Sequence, residues 1–284
     1  MDGDEDSSPP RGTQPMTLLA GLAWTLLLAF LEQLVVQGTE SLRPGAITDL
    51  VSLTASVVLA YSVILFAMLR VHAPNASIRD VLGVRAVSPW GALLAFVGGL
   101  ALAPGKDLLD DVMEKRFPIP AEDAELLEKL LHATTFGERA ALLIAVVVAF
   151  PLCEDFFFRG ALFRGLRRGQ TEGGAVLASA VLCAVSLAGA VRGLPAAFLV
   201  GLFTAWLRGR SGSVLPAILA HVALEAVSGV PLALGKAEFD LAPKLVVGGA
   251  VLAGLCVWGA SVVFSRDPRA AKARRLDSAQ GAPG

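Results

Sequence analysis

Residues 138–160 read ERAALLIAVVVAFPLCEDFFFRG. From Ala140 to Cys153 no side chain is polar; two adjacent acids, Glu154 and Asp155, then enter the run, and three phenylalanines carry it on to Arg159. A helix needs about 20 mostly apolar residues to cross a hydrocarbon core about 30 Å thick, and 138–157 supplies one. The whole chain shares this character. Of its 284 residues 55% are hydrophobic and 17% charged, with a mean hydropathy of +0.65. A soluble domain carries about a quarter of its residues as charged side chains, so a soluble globular enzyme is excluded. A disordered chain is excluded too, since it needs low hydrophobicity. A net charge of −1 and a pI near 6.3 carry no nucleic-acid signal. Cys153, Cys183 and Cys256 sit in apolar runs without CxxC spacing, so they build neither a disulfide framework nor a zinc ribbon.

Working outward, eight segments have spanning character: 17–37, 48–70, 89–104, 138–157, 173–190, 193–207, 213–229 and 244–265. The third, sixth and seventh are short. The expected fold class is an all-α polytopic transmembrane helix bundle of about eight spans. Residues 1–16 read as a disordered acidic tail, 17–266 as the bundle and 267–284 as a disordered basic tail. The acidic leader makes the first segment a spanning helix rather than a signal peptide. With the N-terminus inside, fifteen lysines and arginines fall on the cytoplasmic side and nine outside, five of the nine in or beside the long 105–137 connection. The positive-inside rule therefore places both termini in the cytoplasm, with Trp90 and Trp206 at the inner interface. Within the connection, Ala121–His132 has leucines at 126, 127, 130 and 131, the spacing of an amphipathic interfacial helix.

A charged side chain at the centre of a spanning helix costs about 2.5–3.5 kcal/mol on insertion scales, which makes the few present informative. Glu32 lies in the first span, Glu154 and Asp155 in the fourth, His221 and Glu225 in the seventh. Adjacent acids on a helix point about 100° apart. Asp155 and Arg159, four residues apart, are therefore expected to pair as an ion cluster closing the helix end. Glu154 is aimed elsewhere and has the character of a general base acting on water. His221 and Glu225 project from one face of the seventh span; the histidine can donate to a developing oxyanion and the acid can orient its ring. A structural hydrogen-bonded pair is the other reading of those two. Glu32 has no local partner and stays unassigned.

Glu154-Asp155-x-x-x-Arg159-Gly160 at the end of a span, followed two spans later by His221-x-x-x-Glu225, resembles the CAAX prenyl protease and bacteriocin-processing (CPBP, Abi) family of intramembrane endopeptidases. The likeness covers about residues 138–230, and Leu82-Gly83-Val84-Arg85 ahead of the third span has the same look. The resemblance implies peptide-bond hydrolysis, with Glu154 as general base, His221 as oxyanion donor, Glu225 in the family's Asn/Asp slot and Asp155 and Arg159 in support. It further implies a peptide or lipidated-protein substrate, with membrane lipid as the other partner, in a multi-pass protein of the plasma membrane. One departure stands out: the family's Phe-x-x-x-His motif falls on Cys183 and Leu187, and no histidine occurs between residues 133 and 220. A catalytically silent relative acting as a scaffold is therefore the alternative; a transporter is a third reading, against which stands the lack of repeat symmetry. No cofactor is expected. Glu154, His221 and Glu225 would be the ligand set of a metal, but HExxH spacing is missing.

Overall fold

The computed structural model describes residues 14–186, 191–235 and 243–278. These residues form eleven helices and no strand: α1 Leu18–Leu42, α2 Leu50–His72, α3 Ile78–Leu82, α4 Pro89–Arg116, α5 Ala121–Leu131, α6 Phe136–Gly169, α7 Glu172–Ser186, α8 Leu194–Ser211, α9 Leu215–Ala233, α10 Pro243–Arg266 and α11 Pro268–Ser278. Seven of them (α1, α2, α4, α6, α8, α9 and α10) are long and apolar enough to cross a membrane. The expected fifth span appears as α7, with 15 described residues; 187–190 lie outside the described residues, as do 1–13 of the acidic tail. The chain is a multi-pass helical membrane protein.

Two helices run twelve residues past their expected ends, each for a local reason. Ser88 caps α4 by accepting from the Gly91 N–H at 3.1 Å, and Pro89 sits in the first turn, where its missing N–H costs nothing. Pro104 stands inside α4 without ending it, and the helix continues for 28 residues, about 42 Å at 1.5 Å per residue. Its last turns carry i, i+4 ion pairs, Lys106–Asp110 at 3.1 Å and Asp111–Lys115 at 2.6 Å. Part of the expected 105–137 connection is thus helix. Thr135 and Glu138 form a reciprocal capping box at the start of α6, and that helix runs past 157 to Gly169. The predicted interfacial helix over 121–132 is present as α5, with no buried residue.

α4 packs along α9 and α10, α7 on α8, and α1 on α2. Small residues let the backbones approach, as is usual where helices meet in lipid. At Gly249 an added Cβ would lie 2.6 Å from the Ala101 carbonyl oxygen, and at Gly99 it would overlap the Ala220 carbonyl.

The arginine-rich connections gather at one end of the bundle. There Gln14 N–H donates to the His72 carbonyl at 2.7 Å and Met16 N–H to the Gly165 carbonyl at 2.9 Å. The expectation of a disordered tail over 267–284 is corrected here for 268–278: these residues form α11, which folds back under the bundle. The reason is electrostatic. Asp277 is 3% exposed and pairs with Arg208 at 2.7 Å and Arg85 at 3.2 Å. Burial pushes the Asp277 carboxyl up, but Arg208, Arg85 and Arg164 more than offset this and hold it below its ordinary value.

Two expected outcomes follow from this packing. Gly99→Ala forces α4 away from α9 and lowers unfolding stability in detergent by about 1–3 kcal/mol, against little change for Gly254→Ala, where a Cβ meets nothing within 4 Å. Because the folded carboxyl of Asp277 has a depressed pKa, its contribution to docking α11 is complete above the unfolded value of about 3.9 and fades as pH falls below it. Hydrogen-exchange protection over 268–278 should therefore drop first on acidification below about pH 4, ahead of α8.

Candidate active site

The site begins with a proline. Pro151 has no N–H to give the carbonyl one turn back, and α6 absorbs this by widening: Ile144–Ala149 forms a π segment, with Phe150 N–H reaching the Ala145 carbonyl. A second π segment, Asp155–Leu162, follows directly. Its carbonyls attract extra donors, Ser179 Oγ of α7 to Phe158 O at 3.0 Å and Arg208 Nε of α8 to Arg159 O at 2.9 Å. Such wide turns occur often at functional sites, and here one lies on the acidic motif.

Asp155 and Arg159 are fully buried, with Arg159 Nε 3.3 Å from Asp155 Oδ1. The expected interfacial cluster at a helix end is corrected: α6 continues ten residues beyond Arg159, so the pair is internal. The other Asp155 oxygen, Oδ2, lies 3.3 Å from Nδ1 of His221 on α9. Asp155, rather than Glu225, thus meets the histidine ring. Arg159 Nη1 donates to Cys183 Sγ at 3.5 Å, tying α7 to the same cluster.

Glu154, half-buried and turned away from Asp155, opens onto a cavity of about 170 Å³. His221 and Glu225 line the same cavity, as do Cys183, Lys106 and Asp110, while Gly193, Ala196, Ala197 and Val200 at the start of α8 form an apolar wall. At about 30 Å³ per molecule the space holds a few waters. The three residues expected at the centre of the chemistry therefore meet in one chamber, with Asp155 and Arg159 behind it. Glu32 of α1 is half-buried within electrostatic reach of Glu154. Among the described residues no three His, Cys, Asp or Glu side chains come together at metal-binding spacing. Leu187 lies outside the described residues.

Lys106 and Asp110 were missed from sequence because Pro104 and the charges after it read as the start of a loop. The available signal was their i, i+4 spacing directly after an apolar span, which keeps both on one helical face. Lys106 is within electrostatic reach of Glu225, so the chamber holds a cation opposite that acid.

Residues 136–227, covering α6, α7, α8 and most of α9, match the family model described as type II CAAX prenyl endopeptidase Rce1-like. The likeness read from the two motifs is borne out over that stretch. No curated protein and no solved structure matches the chain.

Breaking one side of the buried cluster strands a charge. Arg159→Leu is expected to destabilise the bundle by about 3–5 kcal/mol, and Asp155→Asn with Arg159→Leu to recover part of that loss. Unfolding of the two single variants and the double variant, run as a mutant cycle, reads the coupling directly.

Proposed function

We propose that this protein is an intramembrane endopeptidase of the CAAX-processing type, which hydrolyses a peptide bond inside the bundle. The observation that carries this reading is the shared chamber: Glu154 and His221, the acid of the first motif and the histidine of the last, border one space large enough for water and a peptide carbonyl. The family match over 136–227 supports the same class.

In this mechanism the Glu154 carboxylate takes a proton from a water molecule, and the water oxygen attacks the substrate carbonyl carbon. The carbonyl electrons move onto oxygen. His221 with both ring nitrogens protonated donates Nδ1–H to Asp155 and Nε2–H to that oxyanion. As the tetrahedral intermediate collapses, the C–N bond breaks and the proton held by Glu154 passes to the leaving amine. Arg159 holds the Asp155 carboxylate in place, so that the imidazole keeps one orientation. Lys106 balances Glu225, whose negative charge would otherwise oppose the oxyanion. The substrate class is a peptide or lipidated protein carried in the membrane, and its scissile bond meets the chamber from the lipid. The proposed setting is the plasma membrane; the distribution of arginines and lysines supports cytoplasmic termini.

One observation favours a second reading, a catalytically silent relative that binds rather than cleaves: leucine stands at 187, where the family carries histidine. The two separate in one assay. Purified protein in nanodiscs is given prenylated and unmodified hydrophobic peptides. Cleavage is expected from the wild type, falling by roughly 10²–10⁴-fold in Glu154→Gln and by roughly 10²–10³-fold in His221→Ala. Leu187→His is expected to raise the rate. Wild-type cleavage that survives Glu154→Gln would sink the proposed mechanism, while binding without cleavage in every variant would leave the scaffold.

A further inference from the structure

A second charged cluster lies outside the chamber, at the arginine-rich end of the bundle. Arg208 Nη1 donates to Asp277 Oδ2 at 2.7 Å and Arg85 Nη1 to Asp277 Oδ1 at 3.2 Å, whereas Arg164 Nε stands 3.9 Å from Oδ1, beyond hydrogen-bond distance. Arg208 is fully buried and Arg164 is 6% exposed. Gly83, at φ +69°, makes room for the Arg208 guanidinium, since a Cβ there would lie 2.7 Å from Nη2. Three guanidiniums thus share a carboxylate whose two oxygens are both engaged. Among the described residues, Arg164 Nε, Arg164 Nη1 and Arg208 Nη2 are buried with no hydrogen-bond partner. The arrangement holds more positive charge and more donors than Asp277 satisfies.

The chemistry that matches the surplus is a phosphate group. It brings up to two negative charges and three or more acceptor oxygens in a tetrahedral array, enough for Arg85, Arg164 and Arg208 together, and guanidinium forks suit it. The present occupant has other holds, the Arg85 guanidinium on the Ala273 carbonyl at 3.3 Å and Arg274 on the Arg210 and Phe264 carbonyls, but little apolar burial. Besides Asp277, α11 buries Ala270 and Ala273, small side chains, and leaves Leu276 47% exposed. Arg208 is anchored independently, through Nε to the Arg159 carbonyl at 2.9 Å, so it stays in place when α11 leaves. The basket also lies at the end that the arginine distribution assigns to the leaflet rich in anionic lipid.

We infer that this arginine basket is a phosphate-binding site which Asp277 fills from within, and that a phosphate group, on an anionic lipid or free in solution, displaces the aspartate and releases α11. The test measures hydrogen exchange over 268–278 in the full-length protein held in phosphatidylcholine nanodiscs. Phosphatidate in the discs, or millimolar inorganic phosphate around them, is expected to speed exchange there by about tenfold, with α8 unchanged. A response to phosphatidate alone identifies the headgroup as the source, a response to inorganic phosphate identifies free phosphate, and either supports the site. Arg164→Gln leaves Asp277 its Arg85 and Arg208 partners and is expected to keep α11 docked while abolishing the response. Asp277→Asn is expected to expose α11 in phosphatidylcholine alone and to bind phosphate about tenfold more tightly, having lost its internal competitor. Unchanged exchange in both phosphate arms overturns the proposal. So does a response of equal size in Arg164→Gln, or equal release by oleate-bearing discs, whose charge is carboxylate rather than phosphate.

Discussion

A carboxylate sealed from water must be answered by cations or hydrogen-bond partners, and in this bundle Asp155 is answered twice. Arg159 comes from its own helix, one turn on, and His221 comes from α9. Lipid gives no alternative partner and water does not reach the pair, so α6 and α9 have to lie side by side with these residues in register. Glu154 follows from that placement. One residue before a carboxylate committed to α9, it is rotated by about 100° and faces the chamber with His221 and Glu225 instead of joining the ion cluster.

The wide turn at Asp155–Leu162 spreads this constraint to the neighbouring helices. A π turn exposes carbonyls that a regular helix keeps to itself, and here Ser179 of α7 and Arg208 of α8 supply donors to two of them. Arg159 also donates from its side chain to Cys183. Four helices therefore meet at one short segment through polar contacts, where the surrounding lipid offers no hydrophobic drive for helix association. The same segment connects the chamber to the arginine-rich end, because Arg208 joins the Arg159 carbonyl to Asp277 on α11.

Much of this was legible in the chain. The apolar runs gave every spanning helix because each must satisfy its backbone internally, which leaves helix as the way to cross. The rarity of charge within those runs singled out Glu154, Asp155, His221 and Glu225, since each must have a reason to be there. Besides the partner of His221, three readings failed, and each failed where a local rule met a tertiary partner. Pro104 and the charges after it resembled a helix end, but their i, i+4 pairs carry α4 onward and bring Lys106 to the chamber. Asp155 and Arg159 looked interfacial because apolar character fades after Phe158, yet α6 continues, with Arg164 and Arg168 buried as well. The tail over 268–278 has the composition of a solvated segment, and the basket that captures Asp277 comes from residues 69 to 192 positions away in the chain.

By itself, then, the amino-acid order determined the membrane class, the positions of the spans and which ionisable residues had to be partnered, because those follow from the cost of placing polar groups in hydrocarbon and are paid residue by residue. Which partners they found was decided only in three dimensions. Asp155 rather than Glu225 on His221, Lys106 across from Glu225 and Asp277 among the arginines are contacts between distant segments. They are set by how helices of fixed pitch, brought close at glycines such as Gly99 and Gly249, rotate their side chains toward one another.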